Sequence, residues 1–340
     1  DITSGTMTLN AAIFTDTGAA AGISKSGAGT LTITSTGGYA GGTTINSGAI
    51  ISSAQAITGG DTSLGLATSS NVITINTGGT LTGNTDNWLD NTALASGAAN
   101  AHSVVINAGG LLKGGLGNMT GLGNVTLNGG TIEVTNGLFA HGWNGSFTLG
   151  GDITVSGGAA AQITTSPGAG ASANLQMSNG TNGLGGTRTF TVDDVTGSAA
   201  PDLVVSATLA NGTVVKAGAG TLELAPGATG TGTPVNWIVN EGLLLANSAL
   251  GGGLITVSSG ATLGGNGTVG NVEITGGGVL APGASAGHLT ANNLTLNPGS
   301  VLNIELGAPT LVQSSGSDFV TVGDVLTLHG TLNILALPGF

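Results

Sequence analysis

The 340-residue sequence predicts an all-β fold, a β-solenoid of the parallel β-helix type drawn out as a rod with loop insertions. Three observations carry that expectation. A cassette occurs twice. Short alternating apolar runs end in Asn or another small polar residue followed by Gly. No long stretch places apolar residues at three-and-four spacing, and frequent Gly costs about 1 kcal/mol each in a helix interior.

The first cassette runs from Lys25-Ser26-Gly27-Ala28-Gly29-Thr30-Leu31 through Gly41-Gly42-Thr43-Thr44-Ile45-Asn46-Ser47-Gly48 to Ile50. The second runs from Lys216-Ala217-Gly218-Ala219-Gly220-Thr221-Leu222 to Val239-Asn240-Glu241-Gly242-Leu243-Leu244. One short strand–turn–strand unit cannot bury its own apolar face, so a chain of such units has to stack them.

The strand signals come in order: Val72–Ile75, Val104–Ile106, Val125–Leu127, Ile255–Val257, Val272–Ile274 and Leu294–Leu296. Alternation puts every second side chain on one face, and β-branched residues suit a pleated, half-buried surface. Asn and Gly then mark the turn, since both tolerate positive φ. Aligning that turn gives Asn46, Asn76, Asn107 and Asn128, then Asn240, Ser258, Thr275 and Asn297. Their spacings are 30, 31 and 21, then 18, 17 and 22, longer than hairpins give and close to one coil plus insertions. At about 4.8 Å per strand and roughly 15 coils the body would be on the order of 70 Å long.

Two architectural expectations follow. Ile45, Ile75, Ile106, Leu127, Val239, Val257, Ile274 and Leu296, each just before the turn residue, should form one inward column. The four asparagines should stack at least in part. The intervals of 30 and 31 suggest an unmarked extra coil before Asn76 and again before Asn107, which leaves Asn107 and Asn128 as the adjacent pair.

Residues 58–66, 85–99 and 138–145 break the rhythm and read as longer loops holding Trp88, Phe139 and Trp143. The stretch from Gln162 to Pro201 is the least regular. It sets a boundary between segments 1–200 and 201–340, with one continuous solenoid as the alternative.

Composition narrows the function classes. Net charge is −12, and the only fixed cations are Lys25, Lys113, Arg188 and Lys216, which form no cluster. Polyanion binding and docking on anionic lipid both need clustered Lys or Arg, so nucleic acid and membrane surfaces are poor partners. No apolar run reaches membrane-span length. Cysteine is absent, which excludes disulfides and thiol chemistry. The first residues, Asp1-Ile2-Thr3-Ser4, lack the basic start and apolar stretch of a signal peptide.

Catalytic constellations are sparse. Glycoside hydrolysis needs two carboxylates on one face, and lyase chemistry needs a base with Arg or a metal. The candidates are Asp193-Asp194 with Arg188, and Asp86 with Asp90 near Trp88. Adjacent strand residues point to opposite faces, so Asp193 and Asp194 read as turn acids. Asp86, Trp88 and Asp90 read either as a sugar-stacking ligand loop or as a loop anchored by Trp88. His102, His141, His288 and His329 are isolated, and Gly59-Gly60-Asp61 and Gly150-Gly151-Asp152 are single fragments of a calcium repeat. No catalytic residue, cofactor or metal is expected.

Lys-x-Gly-x-Gly-Thr-Leu followed by Gly-Gly-Thr-Thr-Ile-Asn-x-Gly resembles the autotransporter-associated β-strand repeat, also called the passenger-associated transport repeat. The match is close from Lys25 to Ile50, with Tyr39 in the Tyr-x-Gly-Gly-Thr position. It is looser from Lys216 to Leu245, where three extra residues intervene. Leu280-Ala281-Pro282-Gly283, Ser317-Asp318-Phe319-Val320 and Leu328-His329-Gly330-Thr331-Leu332 look like the segment that follows such repeats.

The resemblance implies a right-handed parallel β-helix of a secreted or surface-exposed bacterial protein. It further implies a stalk or adhesin without catalysis, with host or matrix glycans or proteins as partners. One alternative is a filament or surface-layer subunit that pairs with other copies of itself through open β-helix ends. Another is a polysaccharide-active β-helix enzyme. No outer-membrane barrel follows Leu337-Pro338-Gly339-Phe340 in this sequence, which reads as a passenger fragment, a processed product or a relative using another export route.

Overall fold

The computed structural model describes residues 1–10, 21–54, 61–85, 88–89, 101–115, 120–135, 147–167, 169, 173–177, 185–228, 235–283, 285–307 and 316–338. Every helix or strand element among them is a strand. The chain is an all-β parallel β-helix. It forms two compact units, Asp1–Arg188 with Ala210–Gly212, and Thr189–Leu209 with Thr213–Phe340.

In the first unit one sheet leads into the Asn turn. Its strands, in hydrogen-bonded order, are Ile23–Lys25, Thr43–Ile45, Ile73–Ile75, Val104–Asn107, Val125–Asn128 and Ile153–Val155. All pair in parallel, and Ile45, Ile75, Ile106 and Leu127 stand in successive register. All four are fully buried. The second sheet follows the turn, and there Leu31, Ile50, Leu81, Leu112, Ile132 and Ile163 form the matching inward column. The alternation Thr-Leu-Thr-Ile of Thr30–Ile33 shows the cause: leucine and isoleucine face in, threonine faces out. Each full burial of such a side chain contributes roughly 1.5–3 kcal/mol.

A third, short sheet that includes Thr120–Leu122, Phe147–Leu149 and Asn174–Met177 adds a face that the sequence pattern does not signal. Its strands are buried throughout, so they lack the in–out alternation by which strands are recognised.

The expectation of extra coils before Asn76 and Asn107 is overturned. The strand Thr43–Ile45 pairs directly with Ile73–Ile75, and that strand pairs directly with Val104–Asn107. The surplus residues therefore do not supply a further strand between these pairs. Between Asn46 and Asn76 they include a small antiparallel hairpin, Asp61–Thr62 with Gly65–Leu66. That hairpin is packed into the unit, with Thr62, Ser63 and Leu64 buried.

In the second unit the sheet leading to the turn contains Val235–Val239, Leu254–Val257, Thr268–Ile274 and His288–Leu296. Both Phe319–Val322 and Leu326–Leu328 pair with the long last strand of that set. Val239, Val257, Ile274 and Leu296 form the expected inward column and are at most 2 % exposed. The sheet after the turn is built on a leucine column: Leu203, Leu222, Leu244, Leu263, Leu280, Leu302 and Leu332. At its last strand, Thr331–Ala336, every residue is exposed. The strand Thr187–Val192 lies in the stretch read as least regular. It buries Phe190 and Val192 but ends in Asp193 rather than in Asn and Gly.

Candidate functional site

The two cassettes close in the same way. Lys25 stands in register with Ile45, at the head of the inward column of its sheet, and is 3 % exposed. A lysine in an aliphatic column needs its charge satisfied, and the long stem lets the ammonium reach the turn. Its Nζ donates to the carbonyls of Ser26, Gly27 and Ser47 at 2.9, 2.6 and 3.1 Å. Lys216 repeats the arrangement on Ala217, Gly218 and Glu241 at 3.1, 2.6 and 3.0 Å. Three donors meet three acceptors, the full capacity of an ammonium. Burial lowers Lys216 to about 8, against the upward pull of Glu241, Asp202 and Asp193. Burial lowers Lys25 as well.

The cassette glycines follow from this closure. Gly48 and Gly242 have φ of 71° and 66°. A Cβ on Gly48 would collide with the Gly27 and Gly29 carbonyls and lie 2.8 Å from Lys25 Nζ. A Cβ on Gly242 would meet the Gly218 and Gly220 carbonyls and lie 2.8 Å from Lys216 Nζ. The motif is therefore a lysine-plugged turn, with glycine wherever the adjacent coil's carbonyls come close.

Asparagines link the turns of the first unit. Asn76 Nδ2 donates to Asn46 Oδ1 at 2.9 Å, Asn107 to Asn76 at 2.7 Å and Asn128 to Asn107 at 3.0 Å. Ser156 Oγ extends the ladder onto Asn128 at 2.8 Å. All four asparagines stack, not only the last pair. In the second unit the ladder is mixed, with Ser258 on Asn240 and Asn297 on Glu273.

Trp88 is fully buried. Its ring lies 6.4 Å from that of Phe147, tilted 54°, and packs so closely on Gly83 that a Cβ there would overlap the indole. This is the geometry of an anchor. Asp86, Asp90, His141, Phe139 and Trp143 lie outside the described residues. Asp193 and Asp194 are exposed, and Asp194 Oδ1 accepts the Gly197 N–H at 2.9 Å, as a turn acid does. Arg188 donates through Nε to the Leu149 carbonyl at 2.9 Å.

The histidines are dispersed. His102 is fully buried, with Nδ1 3.0 Å from the Asn71 carbonyl and Nε2 3.0 Å from Thr62 Oγ1. Burial pulls it down to about 4. His288 Nε2 lies 2.7 Å from Thr321 Oγ1, and His329 is exposed. Among the described residues no group of three or more His, Cys, Asp or Glu could hold a metal ion.

Two acids escaped the sequence reading. Asp202 accepts the N–H groups of Val195, Thr196 and Thr221 at 2.8–2.9 Å. Asp318 accepts those of Gly287 and Glu305 at 2.8 and 2.7 Å, and burial raises it. Both immediately precede a short apolar-rich run, Leu203-Val204-Val205 and Phe319-Val320-Thr321-Val322. That is the signal that could have found them.

No family model matches this chain, and no curated protein or solved structure matches it either.

Proposed function

We propose that the chain is a structural or adhesive β-helix of a bacterial surface or secreted protein, acting as a stalk or adhesin without catalysis. The observation that carries this reading is where the repeated motif residues are spent. The lysines, glycines and asparagines of the cassettes and turns are engaged in joining coils, as architecture requires. The cassettes' resemblance to the autotransporter-associated β-strand repeat supports export and surface display. Extracellular matrix or host glycans and proteins are the proposed partners. The test pairs two assays on the purified chain: retention of coated beads on glycan and matrix-protein surfaces, and release of reducing ends from a panel of polysaccharides. Retention without release supports the reading. Release of reducing ends would replace it with the polysaccharide-active alternative.

A second reading, self-assembly into a filament or surface layer, rests on one edge of the second unit. There the core columns surface: Leu328 is 59 % exposed where its register partner Leu296 is 2 %, and Leu332 and Ile334 are 58 % and 56 % exposed. An exposed sheet edge with apolar side chains and no fixed charge invites strand addition, by further chain or by another copy. Concentration-dependent light scattering would favour this reading over an isolated stalk.

A further inference from the structure

The chain carries seven Asn-x-Ser/Thr triplets, and four of their asparagines are among the described residues: Asn124, Asn211, Asn266 and Asn293. The triplet is the acceptor motif for N-linked sugar, which joins to the carboxamide nitrogen. A chain this rich in Asn, Gly and Thr generates triplets by composition. What selects among them is where each carboxamide spends its nitrogen.

Two spend it inside the fold. Asn293 lies within the strand His288–Leu296, its Nδ2 donating to Asn271 Oδ1 at 2.7 Å and its Oδ1 accepting the Val325 N–H at 2.8 Å. Asn211, with φ of 61°, donates through Nδ2 to Gln176 Oε1 at 3.3 Å.

The other two are held by the oxygen alone. Asn266 is exposed between the strands Thr262–Gly265 and Thr268–Ile274, and its Oδ1 accepts the His288 N–H at 2.9 Å. Asn124 is exposed just before the strand Val125–Asn128, and its Oδ1 accepts the Asp152 N–H at 3.1 Å. A backbone N–H can only donate, so the oxygen end of each amide is fixed by its partner. Neither Nδ2 has a partner among the described residues. The hydroxyl residue of the first triplet, Thr268, is exposed, and that of the second, Thr126, is half-buried. An amide anchored at its oxygen and free at its nitrogen loses little further freedom on entering a transferase site.

We propose that Asn266 and Asn124 are N-glycan acceptor sites of the folded chain, modified by a transferase that uses a phosphate-activated sugar. Nδ2 attacks the anomeric carbon, the bond from that carbon to the phosphate oxygen breaks, and the phosphate leaves with the electron pair. One Nδ2 proton passes to solvent, so the new N–C bond replaces one N–H and the Oδ1 tie to the neighbouring coil survives. The donor is either a nucleotide-activated sugar or a polyprenyl-diphosphate oligosaccharide. Transfer to the purified chain is independent of the stalk or adhesin reading.

The test offers the purified, folded full chain to two transferases that act on Asn-x-Ser/Thr. One is soluble and supplied with a nucleotide-activated hexose; the other is a membrane enzyme supplied with a polyprenyl-diphosphate oligosaccharide. Synthetic peptides spanning the four triplets run alongside, and peptide mass spectrometry reads occupancy at each asparagine. In the folded chain Asn266 and Asn124 should be modified at least roughly tenfold faster than Asn211 and Asn293, the equivalent of one net hydrogen bond. The four peptides should react at similar rates. Thr268→Val should abolish modification of Asn266 and leave that of Asn124. Reaction in one arm alone assigns the donor. Equal rates at all four asparagines of the folded chain, a preference for Asn211 or Asn293, or an unmodified folded chain beside reacting peptides would each overturn the proposal.

Discussion

His102 shows how a single side chain can couple the fold to pH. Its two ring nitrogens have partners in either protonation state, so hydrogen bonding alone does not fix its charge. Desolvation does, and it holds the ring neutral down to about 4. In the unfolded chain the imidazole protonates near 6.5. Between these values the unfolded state binds a proton that the folded state refuses, so stability falls as pH falls from 6.5 toward about 4. At 1.36 kcal/mol per pH unit that interval amounts to ~3 kcal/mol. Urea midpoints measured at pH 7 and pH 4.5 should drop more in the natural chain than in His102→Asn. Equal drops would show that the ring carries no such penalty.

The turn offers a comparison at the level of the element. Gly48 and Gly78 each follow a turn asparagine by two residues, with φ of 71° and 76°, although the sheet register pairs Gly48 with Gly79. Only Gly48 meets a lysine-plugged turn in the adjacent coil; a Cβ on Gly78 meets nothing within 4 Å. Gly78→Ala should therefore lose about 1–2 kcal/mol from left-handed strain alone. Gly48→Ala should lose distinctly more, because carbonyls of the neighbouring coil must also move. Equal losses in denaturant titrations would mean that the lysine turn does not constrain its neighbour.

The same elements show what a sequence can reveal. Ile45 to Leu127 and Val239 to Leu296 were legible because alternation and a following Asn or Gly reflect local backbone requirements. Thr120–Leu122 was not legible, because a strand covered on both faces loses its alternation. The role of Lys25 was hidden for another reason: a charged residue reads as solvent-facing until three carbonyls are found around its ammonium. The stacking of Asn46 on Asn76 was under-read because an insertion and an extra coil add similar numbers of residues.

For the molecule as a whole, composition and architecture agree. A chain with 6 % charged residues and 66 glycines cannot build a thick core, but it can bury thin columns of Leu, Ile and Val between close-packed backbones. Stability is then nearly additive along neighbouring coils, and function falls to whatever the outward positions present. The candidate ligand loop around Trp88 was legible only as a break in rhythm. The free amides of Asn124 and Asn266 were not legible at all, because the partners that set them apart from Asn211 and Asn293 come from strands far apart in sequence. The proposed stalk or adhesin role would use this division of labour, with a repetitive interior and an outer face free to differ from coil to coil.

That division rests on each coil lying directly on the next, and the 30-residue step from Asn46 to Asn76 is where it is most open to challenge. Thr44 and Thr74 are register partners facing outward on neighbouring strands. The chain has no cysteine, so a Thr44→Cys/Thr74→Cys pair has no competing thiol. Direct stacking places the two Cα atoms about 4.8 Å apart, within disulfide range, whereas an intervening coil would place them about 9.6 Å apart, beyond it. Mass spectrometry after mild oxidation should find the intramolecular bond in nearly every molecule. Two free thiols under the same conditions, in a chain that remains folded, would contradict the coil-on-coil account.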